Sequence, residues 1–367
     1  MKLECQRESL KQAVGLTEKV TSKSSSLPVL GFILLSAEGK NLIIRGTNLD
    51  LGCEWKLPAK VISPGAVLIS GAVFYNLLSN INNVEKLTLE VVNKNLVVSV
   101  GSSSTLIKVQ STEDFPTLPE LEETMELTLP IIDFVSGARA VGYAAALTDI
   151  KPEIASLYFY TDESNAYFVA TDSFRLAEKK VDLKTEGDQV VKLIIPVRNV
   201  TEILRLLEST TGTAVWKFNR HQLTVITDRL RLTSRLIEGV FPDYRQIMPL
   251  NSISQVVLSR VELLNALKLS QIFTDRLNHV TLKLRPEDSV LELTSQNGDV
   301  GENTSLVPAT INGEELIINL NLRYLLDGLQ SISDEKVSLQ FNGRTKPILL
   351  TSTSDDSFRY LIMPLNR

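Results

Sequence analysis

One segment of this chain recurs at a fixed interval, and the interval limits the fold more than any other feature. The run Leu42–Asp50 (LIIRGTNLD) returns as Tyr167–Ser173 (YFVATDS) and, more weakly, as Leu291–Asn297 (LELTSQN). Thr47, Thr171 and Ser295 follow one another at steps of 124 residues. A step of that size is one domain long, so it predicts three like domains in series. The chain has 367 residues, too many for a single ordinary core and enough for two or three.

Apolar spacing at three and four residues predicts six amphipathic helices, over 7–23, 72–83, 130–146, 197–208, 259–276 and 321–332. Their starts advance in step, which gives each domain two helices at matching offsets. Ser259-Arg260-Val261-Glu262 has the form of a capping box, and Pro130 suits a first helical turn. On helix 197–208, Val200, Ile203, Leu204 and Leu207 share one side, with Arg198, Thr201, Glu202 and Arg205 on the other. Between helices, runs such as Lys86–Val91, Gln222–Ile226 and Val337–Phe341 alternate apolar and polar residues. Polar turn clusters such as Glu38–Asn41 and Asn93–Asn95 separate these runs. This is the pattern of half-buried strands in antiparallel hairpins. Each domain reads as a strand, a helix and about three strands, performed twice. The fold class is α+β, with helices covering one side of antiparallel sheets.

Two proline-marked joints divide the copies, Asp114–Glu120 and Val240–Pro249. They place the domains at 1–122, 123–248 and 249–367. Both joints are short and carry apolar residues, which predicts domains that dock rather than swing.

Composition is that of a water-soluble protein, 43% hydrophobic and 22% charged. No apolar run is long enough to span a membrane, and the first residues lack the apolar core of a secretory signal. Cys5 and Cys53 read as free buried thiols of a reducing cytoplasm. The net charge of −5 argues against a sequence-specific nucleic-acid reader. The six helical stretches nevertheless carry an excess of Lys and Arg, and the remainder is the more acidic for it. A mildly basic helical surface on an acidic body suits loose, sequence-blind contact with phosphates, although helices also carry such residues simply as solvated side chains.

No catalytic motif is present. The histidines, His221 and His279, have no partner at a metal-ligand spacing. There is no nucleophile elbow, phosphate loop or dinucleotide glycine pattern. The acidic pairs Glu122-Glu123 and Asp355-Asp356 read as linker or turn residues. Neither a metal nor another cofactor is expected, and an enzyme would need an active site assembled from distant residues.

Several segments, in this order and spacing, resemble the bacterial sliding clamps, the beta subunits of DNA polymerase III. They are Leu27–Leu35, Gly46–Asp50, Ala170–Ala177 (ATDSFRLA), Phe241–Tyr244 (FPDY) and the terminal Tyr360–Leu365 (YLIMPL). The resemblance covers the whole chain. It implies the DNA-clamp fold, with three similar domains forming half of a six-domain ring closed by a head-to-tail homodimer around duplex DNA. It implies a non-catalytic processivity factor whose partners are the polymerase III core, the clamp loader, and other polymerases and repair proteins bearing a clamp-binding peptide. A clamp relative serving as a scaffold without a replicative role would carry the same residues.

The peptide site implied by the resemblance takes Thr171, Ser173, Phe174, Arg175 and Leu176 from the ATDSFRLA segment. Pro242 and Ile247 come from the second joint, and Leu361 and Met363 from the terminal segment. Ile154, Asn321, Tyr324, Thr345 and Pro347 complete it. Aliphatic and aromatic side chains would hold the peptide's anchors, with Thr171 and Asn321 fixing its polar groups. Leu176, Ile247, Leu361 and Met363 read equally well as core. The resemblance implies DNA contacts at Lys23, Ser24, Arg139, Arg198 and Arg205. It implies a ring interface that joins an edge strand at Leu106 and Ile107 to Ile272 and Phe273.

Overall fold

The computed structural model describes residues 1–22, 27–118, 121, 124–183, 190–249 and 251–365. Among the described residues there are six α-helices: α1 (Arg7–Val20), α2 (Gly71–Asn80), α3 (Ile131–Val141), α4 (Val197–Leu207), α5 (Arg260–Gln271) and α6 (Leu322–Gln330). Strands surround them in one order, repeated three times. A strand leads into a helix, four strands follow, then the second helix and three more strands. The expected unit and its repetition are both present.

The helices form where the sequence supplies a stripe and a start. In α1, Leu10, Ala13, Val14, Thr17 and Val20 are buried along one face. Helix α5 starts at Ser259, whose Oγ accepts the Glu262 N–H at 3.4 Å. Helix α6 starts at Asn321, whose Oδ1 accepts the N–H groups of Arg323 and Tyr324. Pro130 departs from its expected place in a first helical turn. It closes the strand Met125–Pro130, opposite Thr213, and α3 begins one residue later.

Compactness groups the chain into two units. One is Met1–Val135 with Arg198–Leu236, and the other is Ser136–Val197 with Ile237–Arg367. In the first unit, strand Leu51–Ser63 pairs with Leu230–Arg235 through the register Leu51↔Ser234 to Trp55↔Leu230. In the second, Arg175–Asp182 pairs with Phe358–Ile362, with Leu176 opposite Leu361. Among the described residues, the strands of the central repeat are thus divided between two twelve-stranded antiparallel sheets, one continuous with the first repeat and one with the third. Ladder hydrogen bonds join neighbouring repeats within each unit, so the proline joints do not mark the limits of the compact units.

The recurring segment forms the same turn in its first two copies. Thr47 ends the strand Asn41–Thr47, and Thr171 ends Asn165–Thr171. Each hydroxyl donates to the carbonyl four residues on, Leu51 at 3.0 Å and Arg175 at 2.6 Å. Each also accepts the amide two residues on, from Leu49 at 3.0 Å and Ser173 at 3.1 Å. Asn48 and Asp172 then accept two amides apiece, and Leu49 and Ser173 both adopt a φ of 78°. Threonine and Asx side chains form such turns because they replace backbone partners locally. In the third repeat the strand runs on to Asn297, and the Ser295 Oγ donates instead to the Ser270 carbonyl at 2.9 Å.

Candidate functional site

In the second unit, three backbone features converge on an apolar cavity of about 180 Å³. The first is the turn after Thr171, which exposes Phe174 (59%) while Leu176 (2%) enters the core. The second is the end of strand Phe358–Ile362, where Leu361 lies opposite Leu176 and the Met363 N–H donates to the Phe174 carbonyl at 2.8 Å. The third is the joint 241–248, whose Phe241 and Tyr244 are buried while Pro242 and Ile247 are exposed.

Aromatic packing and a buried polar chain hold that joint. Phe241 stacks on Tyr158 at 4.7 Å between centroids. The Tyr244 hydroxyl donates to the buried Glu178 carboxylate and lies 2.7 Å from the Tyr160 hydroxyl, to which Arg245 donates at 2.8 Å. Burial pushes the Tyr244 hydroxyl far above its ordinary pKa, and the Glu178 charge pushes it further, so it stays a neutral donor. Leu176, Leu361 and Tyr244 belong to the same apolar cluster, together with Val169, Ile194 and Leu349.

Arg175 braces the other wall. Its Nε lies 3.0 Å from an Asp172 oxygen, one terminal nitrogen lies 2.5 Å from Asp327, and the other donates to the Tyr143 carbonyl at 2.7 Å. Its guanidinium also covers the Tyr324 ring at 4.5 Å. The charge is spent inside the protein, which leaves the stem of Arg175 as the part that can line the cavity.

Of the expected peptide-site residues, Ile154, Thr171, Ser173, Phe174, Arg175, Leu176, Pro242, Ile247, Pro347, Leu361 and Met363 line this one cavity. Asn321, Tyr324 and Thr345 do not. Asn321 is consumed as the α6 cap and also donates to the Leu277 carbonyl at 3.2 Å, Tyr324 lies beneath Arg175, and Thr345 is exposed in the turn before strand Ile348–Ser352. The polar atoms of both Thr171 and Asn321 bond the backbone. Asp243 and Tyr244 of the FPDY segment also line the cavity, beyond the residues that the resemblance implies. An aromatic residue two places after a proline in a short joint is the signal that marks a buried anchor there.

Lys23 and Ser24 lie outside the described residues. Arg139 is exposed on α3, as are Arg198 and Arg205 on α4, and Arg205 pairs with Glu202 at 2.6 Å. The interface expectation needs correction at Ile107. On the edge strand Ser103–Lys108, Leu106 is 55% exposed but Ile107 is buried (7%), because neighbouring residues of a strand face opposite sides. Ile272 is exposed just beyond α5, and Phe273 is half-buried beside Gly301.

Three α+β repeats, each with two helices on antiparallel sheets and joined to its neighbour by strand pairing, define the DNA-clamp fold. Family models of the DNA polymerase III beta subunit match the chain in order: the N-terminal domain at residues 1–119, the central domain at 129–243 and the C-terminal domain at 245–366. The chain belongs to the DNA polymerase III beta subunit family. A beta sliding clamp of Synechococcus elongatus is 28% identical over 100% of this chain and 99% of its own length. Among solved structures, a Pseudomonas aeruginosa sliding clamp bound to griselimycin is 25% identical, with a TM-score of 0.95 over 100% of both chains. The Bacillus subtilis DNA polymerase sliding clamp is 23% identical, with a TM-score of 0.94 over 100% of this chain and 99% of that one.

Proposed function

We propose that this chain is the processivity factor of a replicative DNA polymerase. It works as a non-catalytic homodimeric ring of domains 1–122, 123–248 and 249–367 that encloses duplex DNA in the cytoplasm. The observation that carries this reading is the succession of three beta-subunit domain matches along nearly the whole chain. A ring holds DNA by topology, so its contacts with phosphate need only be weak. A chain of net charge −5 with exposed arginines on α3 and α4 meets that condition. Tethering the polymerase to the ring raises its effective concentration at the primer end without any new contact at the chemistry.

The cavity beside the 241–248 joint is the docking point for the partner's peptide. It offers an apolar floor at Leu176 and Leu361, with Phe174 and Met363 at its mouth, which suits aliphatic or aromatic anchors. Polymerase III core, clamp loader and repair proteins would compete for it. Head-to-tail closure would bring Leu106 of one protomer to Ile272 and Phe273 of the next.

The test is retention on circular DNA against the same DNA linearised, after loading by a compatible clamp loader. Long residence on circles with rapid loss from free ends is expected. Equal retention on both forms means ordinary electrostatic binding and ends the clamp reading.

A further inference from the structure

A second groove lies in the first unit, remote in sequence from the cavity above. It forms where strand Leu51–Ser63 changes neighbour. Leu51–Trp55 pair with Ser234–Leu230, and Ala59–Ser63 pair with the first strand, Lys2–Gln6. Lys56–Pro58 fall between the two pairings, and Pro58 brings no N–H to that gap. The groove measures about 630 Å³. Its apolar lining residues include Pro58, Ala59 and Val61, with the buried Leu57 beneath them in the strand.

Four cations line it, on residues whose backbones are held by strand pairing or main-chain hydrogen bonds. Lys60 stands opposite Glu4, and Lys86 stands opposite Gln6. The Lys40 carbonyl accepts the Ala59 amide at 2.9 Å, and the Arg229 carbonyl accepts the Lys56 amide at 2.8 Å. Glu4 is the one carboxylate among the described lining residues, and it lies 4.0 Å from Lys60. The side chains of Lys40, Lys86 and Arg229 are exposed and have no ion-pair partner among the described residues. On a chain of net charge −5, this concentrates positive charge against the general balance.

We propose that this groove binds an extended acidic peptide of a partner protein, one that alternates carboxylates with aliphatic side chains. The cations would meet the carboxylates, and Pro58, Ala59 and Val61 the aliphatic groups. Charge complementarity selects the acidic partner, and the apolar floor selects a peptide over a nucleic acid. A single strand would need aromatic faces for its bases, and no aromatic residue is among the described lining residues.

The experiment uses the full chain and a fluorescein-labelled dodecapeptide of alternating Glu and Leu, followed by anisotropy at low salt. Its Gln-for-Glu counterpart and labelled dT12 are run alongside. The Glu-Leu peptide should bind, should weaken steeply with added salt, and should lose at least tenfold in affinity on the variant Lys86→Glu with Arg229→Glu. Both substituted side chains are exposed, and gel filtration should give the wild-type elution volume. Equal binding of the Gln peptide, or an unchanged affinity on the double variant, overturns the proposal. Tighter binding of dT12 that is lost on the same variant assigns the groove to nucleic acid and overturns it as well.

Discussion

The hydroxyls of Tyr160 and Tyr244 lie 2.7 Å apart in the buried cluster beneath the cavity, though the residues are 84 positions apart in sequence. Tyr244 also donates to Glu178, and Tyr160 also accepts from Arg245. Deleting the Tyr244 hydroxyl removes a donor from a buried carboxylate, whereas deleting that of Tyr160 leaves the Tyr244–Glu178 bond in place. Tyr244→Phe should therefore cost about 1–3 kcal/mol of stability, and Tyr160→Phe less. Urea unfolding of the two variants checks this, and the reverse order would show that the Glu178 bond is not the one that matters.

The thiols give a prediction in pH. Burial pushes both Cys5 and Cys53 up to about 12, with a smaller push from Glu4 on Cys5, against 9.0 for an unperturbed thiol. Between those values the unfolded chain loses thiol protons that the folded chain keeps. The folded state then binds more protons, and stability falls as pH rises from about 9 towards 12. At pH 8 an aromatic disulfide reagent should find no reactive thiol in the native chain and two after unfolding in urea. Rapid labelling of the native chain would mean that one of the two sites opens.

The turn at Thr47 and Thr171 is legible because it is written in adjacent residues: a hydroxyl, an Asx and a position of positive φ, a set that the third copy at Ser295 lacks. The helices were legible for a similar local reason, with their ends wrong by a few residues. The sheet pairings were not. Leu176 opposite Leu361 and Leu51 opposite Ser234 join residues from different repeats, and no local pattern encodes those registers. Thr171 is a polar residue at a cavity wall, but its hydroxyl is spent on Arg175 and Ser173. Asn321 caps α6, and that role has a local signal, since Asn before a helical run is a preferred cap. Ile107 was misplaced because strand alternation gives two faces without saying which one the core takes.

Phe174 and Met363 separate binding from folding. Phe174 is 59% exposed and Met363 is half-buried, whereas Leu176 and Leu361 are core residues whose truncation would cost stability. Phe174→Ala combined with Met363→Ala should weaken a clamp-binding peptide by about 2 kcal/mol or more if both are hot-spot positions. The thermal midpoint should stay near that of the wild type. Calorimetric titration with the peptide checks this, and unchanged affinity would take the docking site away from this cavity.

Arg198 and Arg205 lie seven residues apart on α4, close to two helical turns, so both can meet the same phosphate backbone. Arg205 is paired with Glu202 in the free protein, which holds its guanidinium near the helix surface at little energetic gain for an exposed pair. Reversing both charges sets Glu202 against a like charge at 205, a cost of only a few tenths of a kcal/mol. Folding should survive Arg198→Glu with Arg205→Glu, and so should peptide affinity, because the cavity lies in the other compact unit. Binding to duplex DNA should weaken at low salt, and the slope of log affinity against log salt should fall by roughly 2 if each arginine displaces one counterion. Loss of DNA binding with an unchanged slope would place the defect in structure rather than in phosphate contact. An unchanged affinity and slope would leave both arginines as ordinary solvated residues of α4.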